Sequence, residues 1–179
     1  MQILDAFKKY EELMDKLYDL TFKYHNAFGK LEQQIVKESI LEEKVSDEEK
    51  EEIETKITEL ETKISEVQKD LINHVKMMET LLKRDDNALQ EKAVDRINRI
   101  HISTMVEYNG CITFLKDLKN NYGDWNFSKV EIGNTIGKEC RKLNEVIGLY
   151  NEKNLDDVDY KVLNVIEAKK IAEDEASKV

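Results

Sequence analysis

Proline is absent from the chain's 179 residues, and glycine occurs only six times. Proline ends or kinks a helix, so its absence points to long helices with short connections. No apolar run is long enough to cross a bilayer, which excludes a membrane-spanning helix. Basic residues are in deficit: 28 Lys and Arg stand against 38 Asp and Glu, a net charge of −10. That sign disfavours direct nucleic-acid binding, which relies on Lys and Arg to neutralise phosphates, and it disfavours an anionic membrane surface as partner. There are two cysteines, and the first residues lack the charged-then-apolar layout of a signal peptide. A cytoplasmic, soluble location with reduced thiols is therefore expected. In that setting Asn126-Phe127-Ser128 matches the glycosylation pattern by chance.

What the chain does have is heptads. Apolar residues alternate at spacings of four and three through Ile3, Phe7, Tyr10, Met14, Leu17, Tyr24, Phe28, Leu31 and Ile35, with Thr21 the one polar slot. A second run follows through Ile53, Ile57, Leu60, Ile64, Val67, Leu71, Met78 and Leu81, with His74 in one slot. Such spacing sets one stripe along one side of a helix, to be buried against other helices. Ala6, Leu13, Leu20 and Ala27 form a second stripe beside the first, and Ile72, Val75 and Leu82 broaden the second run. A wide stripe faces more than one neighbour, as in a bundle. Past Leu31 the pattern loses regularity.

Helix one is predicted from about Gln2 to about Glu43. Ser46 with Glu49 is a capping-box pattern opening helix two, which runs to about Arg84. Folding the two back near Val45 matches wide half to wide half, which favours an antiparallel hairpin over a parallel dimer. Helix three carries Leu89, Ala93, Ile97, Ile100, Thr104, Tyr108, Cys111, Leu115 and Leu118, with a kink or break expected at Asn109-Gly110. Tyr122 to Phe127 is the clearest loop. Ser128 with Glu131 opens helix four, and a fifth helix starts near Asp157. The fold class expected is all-α: an elongated bundle built on a long antiparallel coiled-coil hairpin, about five helices in all. Residues 1–122 form the body, and residues 123–179 form a helical pair that packs on it or caps it.

No motif for catalysis is present. Gly133 to Lys138 is one residue short of a phosphate loop, and Glu139 stands where a magnesium-holding Ser or Thr belongs. The Gly133 and Gly137 pair instead allows close helix approach. The Glu-x-x-His pairs of a bundle di-metal site are missing: Phe22, Leu71 and Asn98 stand three residues before His25, His74 and His101. His74 could approach His101 if helices two and three formed a hairpin, as a pH-sensitive pair or weak metal site, but a hydrogen-bonded or rim histidine is the reading preferred. Cys111 and Cys140 read as two core thiols. No catalytic residue, metal ligand or cofactor is expected.

Two features are suited to a partner. Tyr122, Trp125 and Phe127 place the sole tryptophan and two further rings on one connection, where they either anchor a partner or plug the bundle end. Glu42, Glu43, Asp47, Glu48, Glu49, Glu51 and Glu52 make an acidic hairpin tip, which either docks on a basic surface or simply stays solvated. The function expected is a non-catalytic adaptor or inhibitor of another protein, of the kind encoded by phage or mobile elements. The alternatives are a self-assembling coiled-coil oligomer and an acidic nucleic-acid mimic. Lys56, Lys63 and Lys69 dilute the charge pattern a mimic needs.

Overall fold

A computed structural model describes residues 2–42, 44, 46–84, 91–130 and 132–154. Four helices account for nearly all of them: α1 (Ile3–Ser39), α2 (Asp47–Arg84), α3 (Glu91–Asn121) and α4 (Ile132–Asn154), with a short 3-10 turn at Ser128–Val130. No strand occurs among the described residues, and no described helix is long and apolar enough to cross a membrane. The fifth helix expected from Asp157 lies outside the described residues, as does Glu43 of the acidic tip.

The 37 residues of α1 give it a length of about 55 Å. It pairs antiparallel with α2: His74 Nε2–H donates to the Ala6 carbonyl at 2.7 Å near one end, and the Tyr24 hydroxyl donates to Glu61 at 2.9 Å near the other. The α1 seam is buried at Ile3, Phe7, Tyr10, Met14, Leu17, Tyr24 and Phe28, and Ala6, Leu13, Leu20 and Ala27 are buried beside it. Thr21, the polar slot, satisfies its hydroxyl on the Leu17 carbonyl of its own helix at 2.7 Å.

The bundle is square. α1 packs on α2 and α3, α2 on α1 and α4, and α3 on α4, which leaves α1/α4 and α2/α3 as the diagonals. The order along α1 shows that α3 runs parallel to it: Tyr10 meets His101, Tyr18 meets Phe114 and His25 meets Asp117. Helix three therefore does not form a hairpin with helix two. His74 and His101 accordingly do not meet: each is a hydrogen-bonded histidine, His74 on α1 and His101 in the bundle centre.

That centre holds a polar layer. His101 Nε2–H donates to Asn144 Oδ1 at 3.1 Å, which leaves Nδ1 to accept from the Tyr10 hydroxyl at 3.5 Å. Cys140 Sγ lies 3.8 Å from the same hydroxyl oxygen and can donate to it. One turn away, Asn98 and Asn151 exchange amide hydrogen bonds of 3.0 and 2.8 Å. A buried polar group without its partner is costly, so these pairs hold α1, α3 and α4 to one register.

Helix α3 runs unbroken through Asn109-Gly110, so a local break does not occur there. Glycine is needed there because a β-carbon would come within 2.7 Å of Tyr18 Cε2. Gly137 is similarly roofed by the Tyr108 hydroxyl, in keeping with its role in close helix approach. Gly137→Ala gains about 1 kcal/mol of helix propensity but overpacks the α3–α4 contact by about 1–3 kcal/mol. The net expectation is destabilisation of about 1 kcal/mol, read from the midpoint of urea unfolding. A variant more stable than wild type would show that Tyr108 can move aside at no cost.

Candidate functional site

The aromatic loop begins where α3 ends. The Tyr122 N–H still donates to the Leu118 carbonyl at 2.8 Å, and the Trp125 N–H then donates to the Tyr122 carbonyl at 3.0 Å, closing a tight turn. Asn126 accepts the Ser128 N–H at 3.1 Å, an Asx turn that starts the 3-10 segment. This geometry folds the three rings onto Phe28 of α1. Centroid separations from Phe28 are 5.0 Å to Tyr122, 5.2 Å to Trp125 and 5.7 Å to Phe127. Phe127 is buried, while Tyr122 and Trp125 are half-buried against the core.

Polar atoms of the loop are tied down as well. Trp125 Nε1–H donates to Glu61 Oε2 at 3.3 Å, the same oxygen that accepts from Tyr24, so the buried Glu61 carboxylate gathers two donors. Burial, then the Glu61 charge and hydrogen bond, raise Tyr24 far above the usual phenol range and keep it a donor. The Tyr122 hydroxyl donates to Glu32 at 2.9 Å and lies 3.3 Å from the Phe28 carbonyl. The rings thus pack onto the bundle end, with Tyr122 and Trp125 still partly exposed.

The hairpin tip is a different kind of surface. Ser46 Oγ accepts the Glu49 N–H at 3.2 Å, so the capping pattern does open α2. Glu42, Asp47, Glu48, Glu49, Glu51 and Glu52 are all exposed. Glu42 takes up the left-handed conformation after α1 with φ 53°. Lys50 bridges to Glu38 of α1 at 2.6 Å and joins the two arms. Glu48, Glu51, Glu52 and Glu59 line a shallow surface groove of about 540 Å³ on α2.

Sequence reasoning missed the apolar half of this tip. Burial on α1 stops at Phe28 and on α2 resumes at Ile57, and every described residue between them is exposed or only half-buried. Past Gln33, about 9 Å of α1 thus projects beyond the end of α3. On it Ile35, Val36, Ile40 and Leu41 are 51%, 41%, 73% and 59% exposed. Val36 continues the row of Tyr18, Phe22, His25, Gly29 and Glu32, at three- and four-residue steps, that faces α3 lower down. Val36 lies past the end of α3, although Phe22 of the same row is also exposed beside Phe114. The loss of regularity after Leu31 was the available signal.

At the root of the projection, α1 and the end of α3 enclose a cleft of about 440 Å³ lined by His25, Gly29, Glu32, Asp117, Asn121 and Tyr122. His25 Nε2 and Asp117 Oδ2 are 2.6 Å apart, and Asn121 Nδ2 donates to the other Asp117 oxygen at 3.0 Å.

The polar layer at the bundle centre links Cys140 to His101 only through the Tyr10 hydroxyl. Burial pushes the Cys140 thiol up to about 12, and burial lowers His101 to about 4 against a weaker opposing hydrogen bond from Asn144. Both side chains are buried, and these shifts favour the neutral thiol and the neutral imidazole near pH 7. Cys111, also free and buried, is pushed up to about 12 by burial. Among the described residues no three His, Cys, Asp or Glu side chains gather as a metal-ion site. Compared with protein-family models, with curated proteins and with solved structures, the chain matches none.

Proposed function

We propose that the chain is a non-catalytic protein-binding module, an adaptor or inhibitor, that engages a partner with a basic surface through the projecting end of the α1–α2 hairpin. The observation that carries this reading is the pairing on one projection of exposed Ile35, Val36, Ile40 and Leu41 with the acids of α2. Apolar contact supplies affinity once water is excluded, and the acidic flank steers a basic partner and rejects acidic ones. The aromatic loop contributes by holding the root of the projection in place.

A second copy as partner is the competing reading, because bare apolar residues can also be covered by self-association. Two such tips brought together would oppose Glu48, Glu51 and Glu52 to their own images, which disfavours it. The test uses the full chain as bait in host extract, followed by affinity measurement with the purified partner. The variants are Ile35→Ser/Val36→Ser/Ile40→Ser, Glu48→Lys/Glu51→Lys/Glu52→Lys, and Trp125→Ala. Both tip variants are expected to weaken binding at least about tenfold, because they remove contacts worth more than about 1.4 kcal/mol. The charge variant should lose mainly association rate and salt dependence. A partner held equally well by both tip variants, or concentration-dependent self-association abolished by the serine variant, would overturn the proposal.

A further inference from the structure

We propose that the α1–α3 cleft at the root of the hairpin tip is the seat of an arginine side chain from the protein that docks there. This inference rests on the docking reading above and names the chemistry of one contact within it.

Gly29 is the first observation. It lies inside α1, has no positive φ, and nothing comes within 4 Å of where its β-carbon would be. Glycine in a helix interior weakens the helix, and at Gly110 and Gly137 a neighbouring tyrosine explains it. At Gly29 no neighbour does. What the missing side chain leaves is the floor of the cleft, since Gly29 is one of its lining residues.

The walls are the second observation. Glu32 and Asp117 stand on the two helices that enclose the space, and each carboxylate is oriented by a hydrogen bond from a fixed neighbour: Tyr122 for Glu32, and His25 and Asn121 for Asp117. Glu32 is held by a neutral donor, so that contact leaves its negative charge uncancelled. The cleft also lies at the carboxyl end of α3, the negative pole of that helix. On the cationic side, His25 is already engaged by Asp117, and Lys30, an exposed side chain, is itself among the lining residues. The half-buried Tyr122 also lines the cleft beside the carboxylates. A planar guanidinium can give paired hydrogen bonds to a carboxylate, which a lysine ammonium cannot do. Val36, one helical turn beyond Glu32, begins the bare apolar surface, so an arginine flanked by apolar residues on a partner helix spans both.

The probes are N-acetyl-arginine amide and its uncharged isostere N-acetyl-citrulline amide, titrated into the ¹⁵N-labelled full chain. Arginine is expected to give saturable shifts, in the millimolar range, at the amides of His25, Gly29, Asn121 and Tyr122, and citrulline none. Glu32→Gln should weaken the arginine response about tenfold. Gly29→Gln should abolish it while the melting temperature stays at or above that of wild type, because the new side chain enters open space in a helix. Equal shifts with citrulline, or no localised shifts with arginine, would overturn the seat. The partner's affinity separates the two proposals. If Gly29→Gln leaves it unchanged while the Ile35/Val36/Ile40 serine variant abolishes it, the arginine seat falls and tip docking stands. If the serine variant leaves it unchanged while arginine still shifts the cleft, docking falls and the cleft stands as a cation site.

Discussion

Phe28→Ala is expected to cost about 4 kcal/mol, which in a chain of this length lowers the melting temperature by roughly 8–16 °C. The side chain is fully buried and is the last buried residue of α1 before the hairpin leaves the bundle. Its ring touches Tyr24 at 5.1 Å, besides all three rings of the loop that follows α3. Truncation removes the transfer energy of the ring and leaves a cavity walled by rigid aromatics, which cannot collapse to fill it.

The same substitution has a local signature. Trp125 is the chain's only tryptophan, so its fluorescence reports on this loop alone. With Phe28 gone, the indole keeps its bond to Glu61 but loses the ring it stands against edge-on. Its emission should shift to longer wavelength under native conditions, well below the unfolding midpoint. Leu17→Ala, an equally buried site lower in α1, should lower stability with no native shift. An unshifted Phe28→Ala spectrum would mean that Glu61 and the Asx turn hold the loop without the aromatic plug.

How much of this could be read in advance depends on what periodicity encodes. A heptad stripe states which side of a helix faces another helix, so the α1–α2 hairpin, its turn and the Ser46 cap were legible. It does not name the partner. The stripe on α3 is equally compatible with α1 and α2, and only the structure places it beside α1, which separates His74 from His101. Nor does a stripe state how many helices cover it. Ile35 continues the seam in phase with Phe28, yet one is half exposed and the other sealed, because α3 turns away at Tyr122. The aromatic loop was ambiguous for a related reason: Trp125 serves a plug or an anchor equally well until the position of Phe28 is known. Gly29 carried no signal in the sequence, since its meaning lies in the absence of any neighbour.

The stability profile with pH should be shaped by two groups, the buried His101 and the half-buried Glu107, that act in opposite directions. Burial lowers His101 from 6.5 to about 4, so the unfolded chain binds the extra proton between those values and the folded chain does not. Its contribution is present above pH 6.5 and is lost as pH falls through about 4, an effect of about 3 kcal/mol for a fully buried ring. Glu107 of α3 is the reverse case. Burial, then the hydrogen bond and charge of Asp15 and the charge of Glu11 on α1, raise it from 4.5 to about 8. There the folded state holds the proton, so its contribution is complete below 4.5 and is lost as pH rises through about 8. The Glu107 side chain is partly open to water, and its share is correspondingly smaller. Glu79 of α2 is raised likewise by burial and by Glu139 of α4, against the opposing charges of Lys142 and Lys83. Between pH 4.5 and 6.5 the two slopes oppose each other, and above 6.5 only the carboxyl loss remains. Wild-type stability from urea unfolding should therefore be shallow in the first interval and fall from pH 6.5 to 8. Glu107→Gln should flatten the fall and uncover a rise between pH 4 and 6.5, while His101→Gln should remove that rise whatever its cost in absolute stability. A Glu107→Gln profile parallel to wild type through pH 8 would show that the Asp15–Glu107 contact holds no proton, and that α1 and α3 meet there as two solvated carboxylates.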